Sequence, residues 1–185
     1  VPLTLLRLRE EHRTAVVELG SNHPGEIAYL AAIAEPDLAV LTNIGPVHLE
    51  FFGSLMGVLR EKLSLLKSLP PGGSAVLPGD QLDVCLAAPA YLAPNVRLVT
   101  FGTTDRCDLQ VLAVQRSERD MAIRLRDHLS PLTVPMIGYH NMENTVAALS
   151  CAWALGVPLS QMRERLASFE TVPLRSQVVR CNGLT

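Results

Sequence analysis

Two short apolar runs, each followed at once by a polar turn that contains glycine, constrain the fold of this chain most. The run at 15–17 leads into Glu18 and a Gly-Ser-Asn turn, and the run at 38–41 leads into a turn that carries His48. In open α/β sheets, ligands bind at the carboxyl ends of the strands. We therefore predict that two parallel strands deliver Glu18 and His48 to one sheet edge, as half of a divalent metal site.

Strand-like and helix-like patterns alternate along the chain. The apolar spacing and the turn residues predict strands at 14–18, 38–42, 74–77, 96–101, 108–115, 121–125 and 132–137. Helices are predicted at 25–34, 54–68, 82–92, 141–155 and 159–169. The alternation indicates an α/β fold with a mostly parallel sheet flanked by helices, and the late hairpin indicates a small antiparallel β addition.

Composition argues against several classes of function. A formal charge of −2 gives no electrostatic basis for a nucleic-acid or anionic-membrane partner. No apolar run approaches the ~20 residues of a membrane span. The four cysteines form no Cys-x-x-Cys pair, which predicts reduced thiols in a cytoplasmic protein; they are Cys85, Cys107, Cys151 and Cys181.

Because the chain begins inside an apolar segment and stops at a turn, we expect a piece of a longer enzyme.

Three of the candidate side chains also have an ordinary structural interpretation. A glutamate such as Glu18 at a strand end is usually a solvated terminus, and His48 alone would more often be a satisfied turn histidine. The matching polar turns favour a functional role for both. Lys62 falls on or beside the apolar face of helix 54–68, where a lysine usually snorkels to water. A buried lysine with a lowered pKa could instead be chemically modified.

The later candidates lie near the second pair of predicted helices. Asn141 or His140 could cap the helix at 141–155, and the spacing favours Asn141, since asparagine is a favoured N-cap residue. The amide of Asn144 could offer a donor and an acceptor to a nucleobase edge, and spacing leaves its role open. Arg175 is either a surface arginine or a phosphate clamp, for which its planar guanidinium is suited.

Four blocks of this sequence resemble the Mur ligases, the ATP-dependent amide-forming enzymes of peptidoglycan precursor synthesis. The blocks are Val17-Glu18-Leu19-Gly20-Ser21-Asn22 with Gly25-Glu26-Ile27, Thr42-Asn43-Ile44-Gly45 with His48-Leu49-Glu50 and Phe52-Gly53-Ser54, Lys62, and Gly138-x-His140-Asn141-x-x-Asn144 with Ala147-Ala148. The Gly-Glu-Ile and Thr-Asn-Ile-Gly forms are similar to the branch that adds D-alanyl-D-alanine to UDP-N-acetylmuramoyl-tripeptide.

The resemblance implies a fold, a reaction and a set of partners. Residues 1–170 would be the P-loop-type central ATP-binding domain, and 171–185 the linker and start of a C-terminal domain. ATP would phosphorylate a substrate carboxylate, and an amine would attack the acyl phosphate. The implied cofactors are ATP and Mg²⁺, the implied substrates are UDP-N-acetylmuramoyl-tripeptide and D-alanyl-D-alanine, and the complete protein would be a cytoplasmic monomer.

The resemblance also implies roles for individual residues. Glu18 and His48 match the magnesium ligands of the family, and Lys62 matches the lysine that some members carry as a metal-binding carbamate. These three would form the catalytic centre. The nucleotide and substrate contacts would be Asn43 near the substrate or phosphates, Asn141 and Asn144 near the adenine, and Arg175 at the γ-phosphate.

Some features depart from the family pattern. The phosphate loop, Gly-x-x-Gly-Lys followed by Ser or Thr, does not occur in these 185 residues, so we expect the polypeptide alone to be inactive. Leu174 stands where the family often has glycine, and Ser64 stands where an acidic residue is common. Three alternatives stay open: a sibling Mur ligase that adds a different amine, a folylpolyglutamate synthase, and a non-catalytic binding homologue.

Overall fold

A computed structural model describes residues 1–170 of the chain. The α-helices are α1 (Pro2–Leu5), α2 (Glu26–Ala34), α3 (Leu49–Phe52), α4 (Leu55–Leu63), α5 (Leu82–Ala87), α6 (Tyr139–Ala154) and α7 (Leu159–Ala167). Short 3₁₀ segments extend α4 over Ser64–Ser68 and α5 over Ala88–Tyr91. The strands are β1 (Leu38–Val40), β2 (Ser74–Pro78), β3 (Arg97–Gly102), β4 (Leu109–Arg116), β5 (Met121–Leu125) and β6 (Leu132–Val134). The chain divides into two compact units, Val1–Leu98 and a second that begins at Val99.

The first unit is built on the parallel pair β1 and β2. Leu38 pairs with Ser74 and Val40 with Val76, and every residue of β2 is buried. Helices α2 and α4 belong to the same aliphatic core, in which Leu63 and Ala31 are fully buried. Leu, Val and Ala dominate this core, as expected from a composition that is 48% hydrophobic but only 4% aromatic.

A sharp turn sets the start and direction of α4. The Ser54 side chain caps the helix, because its Oγ accepts a hydrogen bond of 3.1 Å from the Gly57 N–H. A Cβ at Gly57 would clash with the backbone carbonyl of Phe52, so only glycine allows α3 and α4 to approach this closely. The turn therefore sets the direction of α4 and with it the position of Lys62 in the last turn of that helix.

The predicted strand at 14–18 does not form. Residues 14–18 have no regular secondary structure, and Val16 is 90% exposed. Of this region, Leu19 packs against the core. A strand requires a neighbour that takes up its N–H and C=O groups, and an apolar β-branched run does not create one by itself.

The second unit carries the antiparallel hairpin that the alternation predicts. Strand β3 pairs in parallel with β4, and β4, β5 and β6 pair antiparallel, with a β-bulge between Val111 and Ala113. Ile123 and Val134 are fully buried. Arg163 of α7 donates to the Pro131 carbonyl (2.6 Å), which holds this helix against the start of β6. Parallel pairs, flanking helices and a late antiparallel addition confirm the predicted α/β class.

The cysteines show no disulfide in the described part of the chain. Cys85, Cys107 and Cys151 are free, and Cys181 lies outside the described residues. Burial raises the pKa of the Cys151 thiol to about 11, which keeps it protonated at neutral pH and therefore unreactive.

Within residues 1–170, no helix is long and apolar enough to cross a membrane.

Candidate active site

A cleft of about 440 Å³ in the first unit gathers residues from three separate segments. Its lining residues are Gly20, Ser21, Asn22, Glu26, Val47, His48 and Lys62. The first segment runs from the loop after residue 18 into α2, the second follows β1, and the third is the last turn of α4. The cleft thus contains parts of the turns that follow both apolar runs, but the strand predicted to deliver Glu18 to this edge does not form.

Two carboxylates hold the backbone of the first segment. Glu26 Oε2 accepts hydrogen bonds from the N–H groups of Asn22 (2.6 Å) and His23 (3.1 Å). Glu61 on α4 accepts from Gly25 (2.7 Å) and Ile27 (2.8 Å), which are the N-terminal N–H groups of α2. Because Gly25 is the N-cap residue, it has no side chain that could satisfy them. Glu61 therefore caps a helix that lies more than thirty residues earlier in the chain.

His48 occupies an unusual backbone conformation. Its φ of +50° is in the left-handed region, which non-glycine residues rarely adopt. The conformation is held because the His48 carbonyl accepts hydrogen bonds from Phe51 (3.0 Å) and Phe52 (3.1 Å) at the start of α3. The His23 and Phe51 rings contact each other, with centroids 4.3 Å apart, so the first and second segments also meet beside the cleft.

Two polar groups of the cleft have no partner in the described part of the chain. Lys62 is half-buried and forms no ion pair within residues 1–170. The Ser21 Oγ is buried and has no hydrogen-bond partner among the described residues. A buried hydroxyl without a partner costs free energy, and so does a partly desolvated ammonium. Together they indicate a site that is completed by a polar or anionic ligand.

Of the three predicted metal ligands, His48 and Lys62 line the same cleft, but Glu18 does not. Glu18 is exposed and does not line the cleft. Among residues 1–170, no group of three His, Cys, Asp or Glu side chains could hold a metal ion. The assignment of Glu18, His48 and carbamylated Lys62 as metal ligands therefore stays a prediction.

Three of the predicted nucleotide and substrate contacts, Asn43, Asn141 and Asn144, do not line this cleft. Asn43 is exposed, and its side chain bonds to Gln81. Asn141 does not cap the helix as predicted: α6 already begins at Tyr139, and the Asn141 Nδ2 donates to the Ile137 carbonyl (2.7 Å). Asn144 is exposed on α6, and Arg175 lies outside the described residues.

Sequence reasoning missed Glu61, Ser21 and Gln81. A signal existed for Glu61, which lies three residues after Val58 and four before Leu65, both of them buried. Helical periodicity therefore placed a carboxylate on the apolar face of α4, where it needs a partner. No comparable signal marks Ser21 or Gln81, because their environments depend on contacts between distant segments.

We expect Glu26→Gln to destabilise the protein at neutral pH and to have less effect in acid. The N–H groups of Asn22 and His23 hold the pKa of Glu26 below its ordinary value of 4.5. A lowered pKa stabilises the folded state above pH 4.5, and this contribution is lost as the pH falls through the folded-state pKa. Urea denaturation of Glu26→Gln and of the unmodified protein, from neutral pH to below pH 4.5, measures the difference in their free energies of unfolding. If that difference did not shrink in acid, the ionised Glu26 carboxylate would not be the group that holds the Asn22 and His23 N–H groups.

Comparison with known proteins identifies the family. Residues 1–152 match the family model described as the Mur ligase middle domain. The chain is 34% identical over 168 residues to the UDP-N-acetylmuramoyl-tripeptide–D-alanyl-D-alanine ligase of Haemophilus influenzae, covering 90% of this chain and 36% of the relative. The chain belongs to the Mur ligase family.

Solved structures of Mur ligases have the same fold as this chain. MurF from Acinetobacter baumannii superposes with a TM-score of 0.85 at 30% identity, covering 98% of this chain and 40% of that protein. MurF ligase from Thermotoga maritima, solved in complex with ADP, gives a TM-score of 0.82 at 30% identity, with coverage of 98% and 42%. This Mur ligase chain therefore spans about two fifths of the length of the relatives that it matches.

Proposed function

We propose that this chain is the central domain of a Mur ligase that adds D-alanyl-D-alanine to UDP-N-acetylmuramoyl-tripeptide in the cytoplasm. The observation that carries the proposal is the cleft in which Lys62 and the buried Ser21 hydroxyl, both without a partner among residues 1–170, lie beside His48. The Haemophilus influenzae relative is named as a UDP-N-acetylmuramoyl-tripeptide–D-alanyl-D-alanine ligase, which supports the choice of amine. The ADP complex of the Thermotoga maritima protein supports an adenine nucleotide as cofactor.

The cleft suits phosphoryl transfer from ATP to a carboxylate. Catalysis of this reaction consists mainly of positioning and of stabilising charge on the transferred group. A Lys62 ammonium and the Ser21 hydroxyl are both donors, so they fit a phosphoryl or carboxylate oxygen. Asn22 and His23 are held in place by Glu26, which keeps this side of the cleft rigid.

Glu18, His48 and Lys62 would hold Mg²⁺ in this proposal. To bind the metal, Lys62 would have to carry a carbamate, because an ammonium repels Mg²⁺. This form replaces the cation with an anionic oxygen ligand and is the alternative to the ammonium contact with a phosphoryl oxygen. Mg²⁺ usually retains several waters and binds few protein carboxylates together with substrate phosphates, so a sparse ligand set is adequate. When bound, the ion would neutralise charge on the transferred phosphoryl group.

The remaining candidate residues complete the proposal. Residues 1–170 would form the ATP-binding domain, with Asn43 near the phosphates or substrate and Asn141 and Asn144 near the adenine. Arg175, in the linker and start of the C-terminal domain at 171–185, would reach the γ-phosphate. The complete protein would act as a monomer.

The test uses the complete open reading frame that contains this chain. The purified protein should release phosphate from ATP only when Mg²⁺, UDP-N-acetylmuramoyl-tripeptide and D-alanyl-D-alanine are all present. Replacing both substrates distinguishes the sibling ligases: UDP-N-acetylmuramate is paired with L-alanine, and UDP-N-acetylmuramoyl-L-alanyl-D-glutamate with L-lysine or meso-diaminopimelate. Preference for one of these amines would overturn the proposed substrate, and nucleotide binding without turnover of any amine would favour a binding homologue.

A further inference from the structure

The Gln81 carboxamide joins the turns that follow β1 and β2. Its Oε1 accepts a hydrogen bond from the Ile44 N–H (2.9 Å), and its Nε2 donates to the Ile44 carbonyl (2.8 Å) and to Asn43 Oδ1 (2.8 Å). These three bonds link residues 37 and 38 positions apart, and each lies in the ordinary range for a good hydrogen bond.

The Gln81 side chain replaces a neighbouring strand at the point where strand pairing ends. The last backbone bond from β1 towards β2 runs from the Leu41 N–H to the Val76 carbonyl (3.0 Å). Beyond it, the Ile44 N–H and C=O receive an acceptor and a donor from a single amide, as a paired strand would supply them. Ile44 is 9% exposed, so these backbone groups would otherwise be largely buried without partners.

The bonding pattern fixes the orientation of both amides. If the Gln81 amide were reversed, its NH₂ group would face the Ile44 N–H and its oxygen would face the Ile44 carbonyl, which is unfavourable at both atoms. Nε2 must therefore point to Asn43, and Asn43 must accept this hydrogen bond with Oδ1. The Asn43 NH₂ group is then left as two donors, and it has no hydrogen-bond partner within residues 1–170.

We propose that Gln81 is a positioning residue that fixes the Asn43 amide as a hydrogen-bond donor to an anionic oxygen of a substrate. This inference rests on the proposed function. An exposed amide that presents only N–H groups at the carboxyl edge of a parallel strand pair suits a phosphoryl or carboxylate oxygen. If the Asn43 amide could rotate freely, it would present its oxygen to the substrate as often as its nitrogen.

Gln81→Glu in the complete protein reverses this arrangement. One oxygen of the introduced carboxylate can still accept from the Ile44 N–H. The other replaces Nε2 and therefore repels the Ile44 carbonyl and faces Asn43, which must turn its NH₂ group inwards and present Oδ1 to the substrate. We expect kcat/KM to fall by about 10- to 100-fold, the scale of effect for a misplaced binding group. Gln110→Glu is the matched control, because Gln110 also donates to a backbone carbonyl, that of Thr103 (3.0 Å), but does not line the cleft or contact Asn43.

A double mutant separates positioning from a merely structural role. If Gln81 acts through Asn43, the double variant Asn43→Ala and Gln81→Glu loses no more kcat/KM than Asn43→Ala alone. Losses that multiply would overturn the proposal, as would a Gln81→Glu protein with lower Tm but unchanged kcat/KM. A rise in KM for ATP assigns the oxygen to a phosphate of ATP, and a rise in KM for the UDP-linked substrate assigns it to that molecule.

Hydrogen exchange tests the Gln81 contact without relying on activity. In Gln81→Met, we expect the backbone N–H of Ile44 to exchange at least about tenfold faster than in the unmodified protein, because its acceptor is lost. Unchanged exchange would overturn the contact and the inference built on it. An inactive unmodified protein whose Ile44 exchange still responds to Gln81→Met would instead reject the proposed function alone.

Discussion

Replacing Lys62 with methionine should reduce the kcat of the complete ligase by about 10²- to 10³-fold, the effect of removing one group that stabilises the transition state. Methionine keeps much of the length and the apolar stem of the side chain but removes its charge. Since Lys62 is half-buried and forms no ion pair within residues 1–170, the free energy of unfolding should stay the same or rise slightly. Steady-state kinetics and urea denaturation measure the two quantities separately.

Lys62→Arg decides which form of the lysine is active. Arginine keeps a positive charge but cannot carry a carbamate, so a cationic role predicts partial activity. A carbamate role predicts that the arginine variant is as impaired as the methionine variant. This comparison tests the metal-ligand assignment directly, because only the carbamate would bind Mg²⁺.

Lys67→Met is the matched control for these variants. Lys67 is an exposed lysine in the 3₁₀ segment after α4, with its Nζ 5.1 Å from the centre of the Tyr91 ring. It lies outside the cleft, so its replacement should leave kcat unchanged. Equal losses in Lys62→Met and Lys67→Met, or a Lys62→Met enzyme with full activity, would contradict the role of the cleft.

Glu61→Leu should reduce the free energy of unfolding by about 1–3 kcal/mol, the cost of leaving the buried Ile27 N–H unpaired, because the N–H of the exposed Gly25 can bind water instead. Glu61 is only 6% exposed, and its two carboxylate oxygens accept from Gly25 and Ile27 at the start of α2. Leucine has a similar volume but offers no acceptor. Urea denaturation at neutral pH measures the loss.

Two further variants serve as controls for this prediction, Glu61→Gln and Glu164→Leu. Glutamine keeps one acceptor oxygen, so its destabilisation should lie between those of the unmodified protein and Glu61→Leu. Glu164 is exposed on α7, and its replacement should stay within about 0.5 kcal/mol, as is usual for a surface substitution. If Glu61→Leu were no more destabilising than Glu164→Leu, the carboxylate would not be the cap of α2.

Local patterns predicted most of the secondary structure and failed where a partner was needed. Helix α2, with its start at Gly25 and its end before Pro36, follows from glycine, proline and apolar spacing, which act within a few residues. The run at 14–18 has equally strong strand residues, yet it forms no strand. Asn141 was assigned to a cap from its residue type, but the helix begins two residues earlier.

The sequence by itself determined the α/β class and the turns that follow residues 18 and 41, and it predicted a role for His48 and Lys62, which both line the cleft. These follow from residue types and spacings that act locally, or from motifs that span a few positions. Only the tertiary structure decided that Glu61 caps α2, that Ser21 is buried without a partner among the described residues, and that Gln81 orients Asn43. Each of these depends on which distant backbone groups are left unpaired, and that is settled only when the segments pack together.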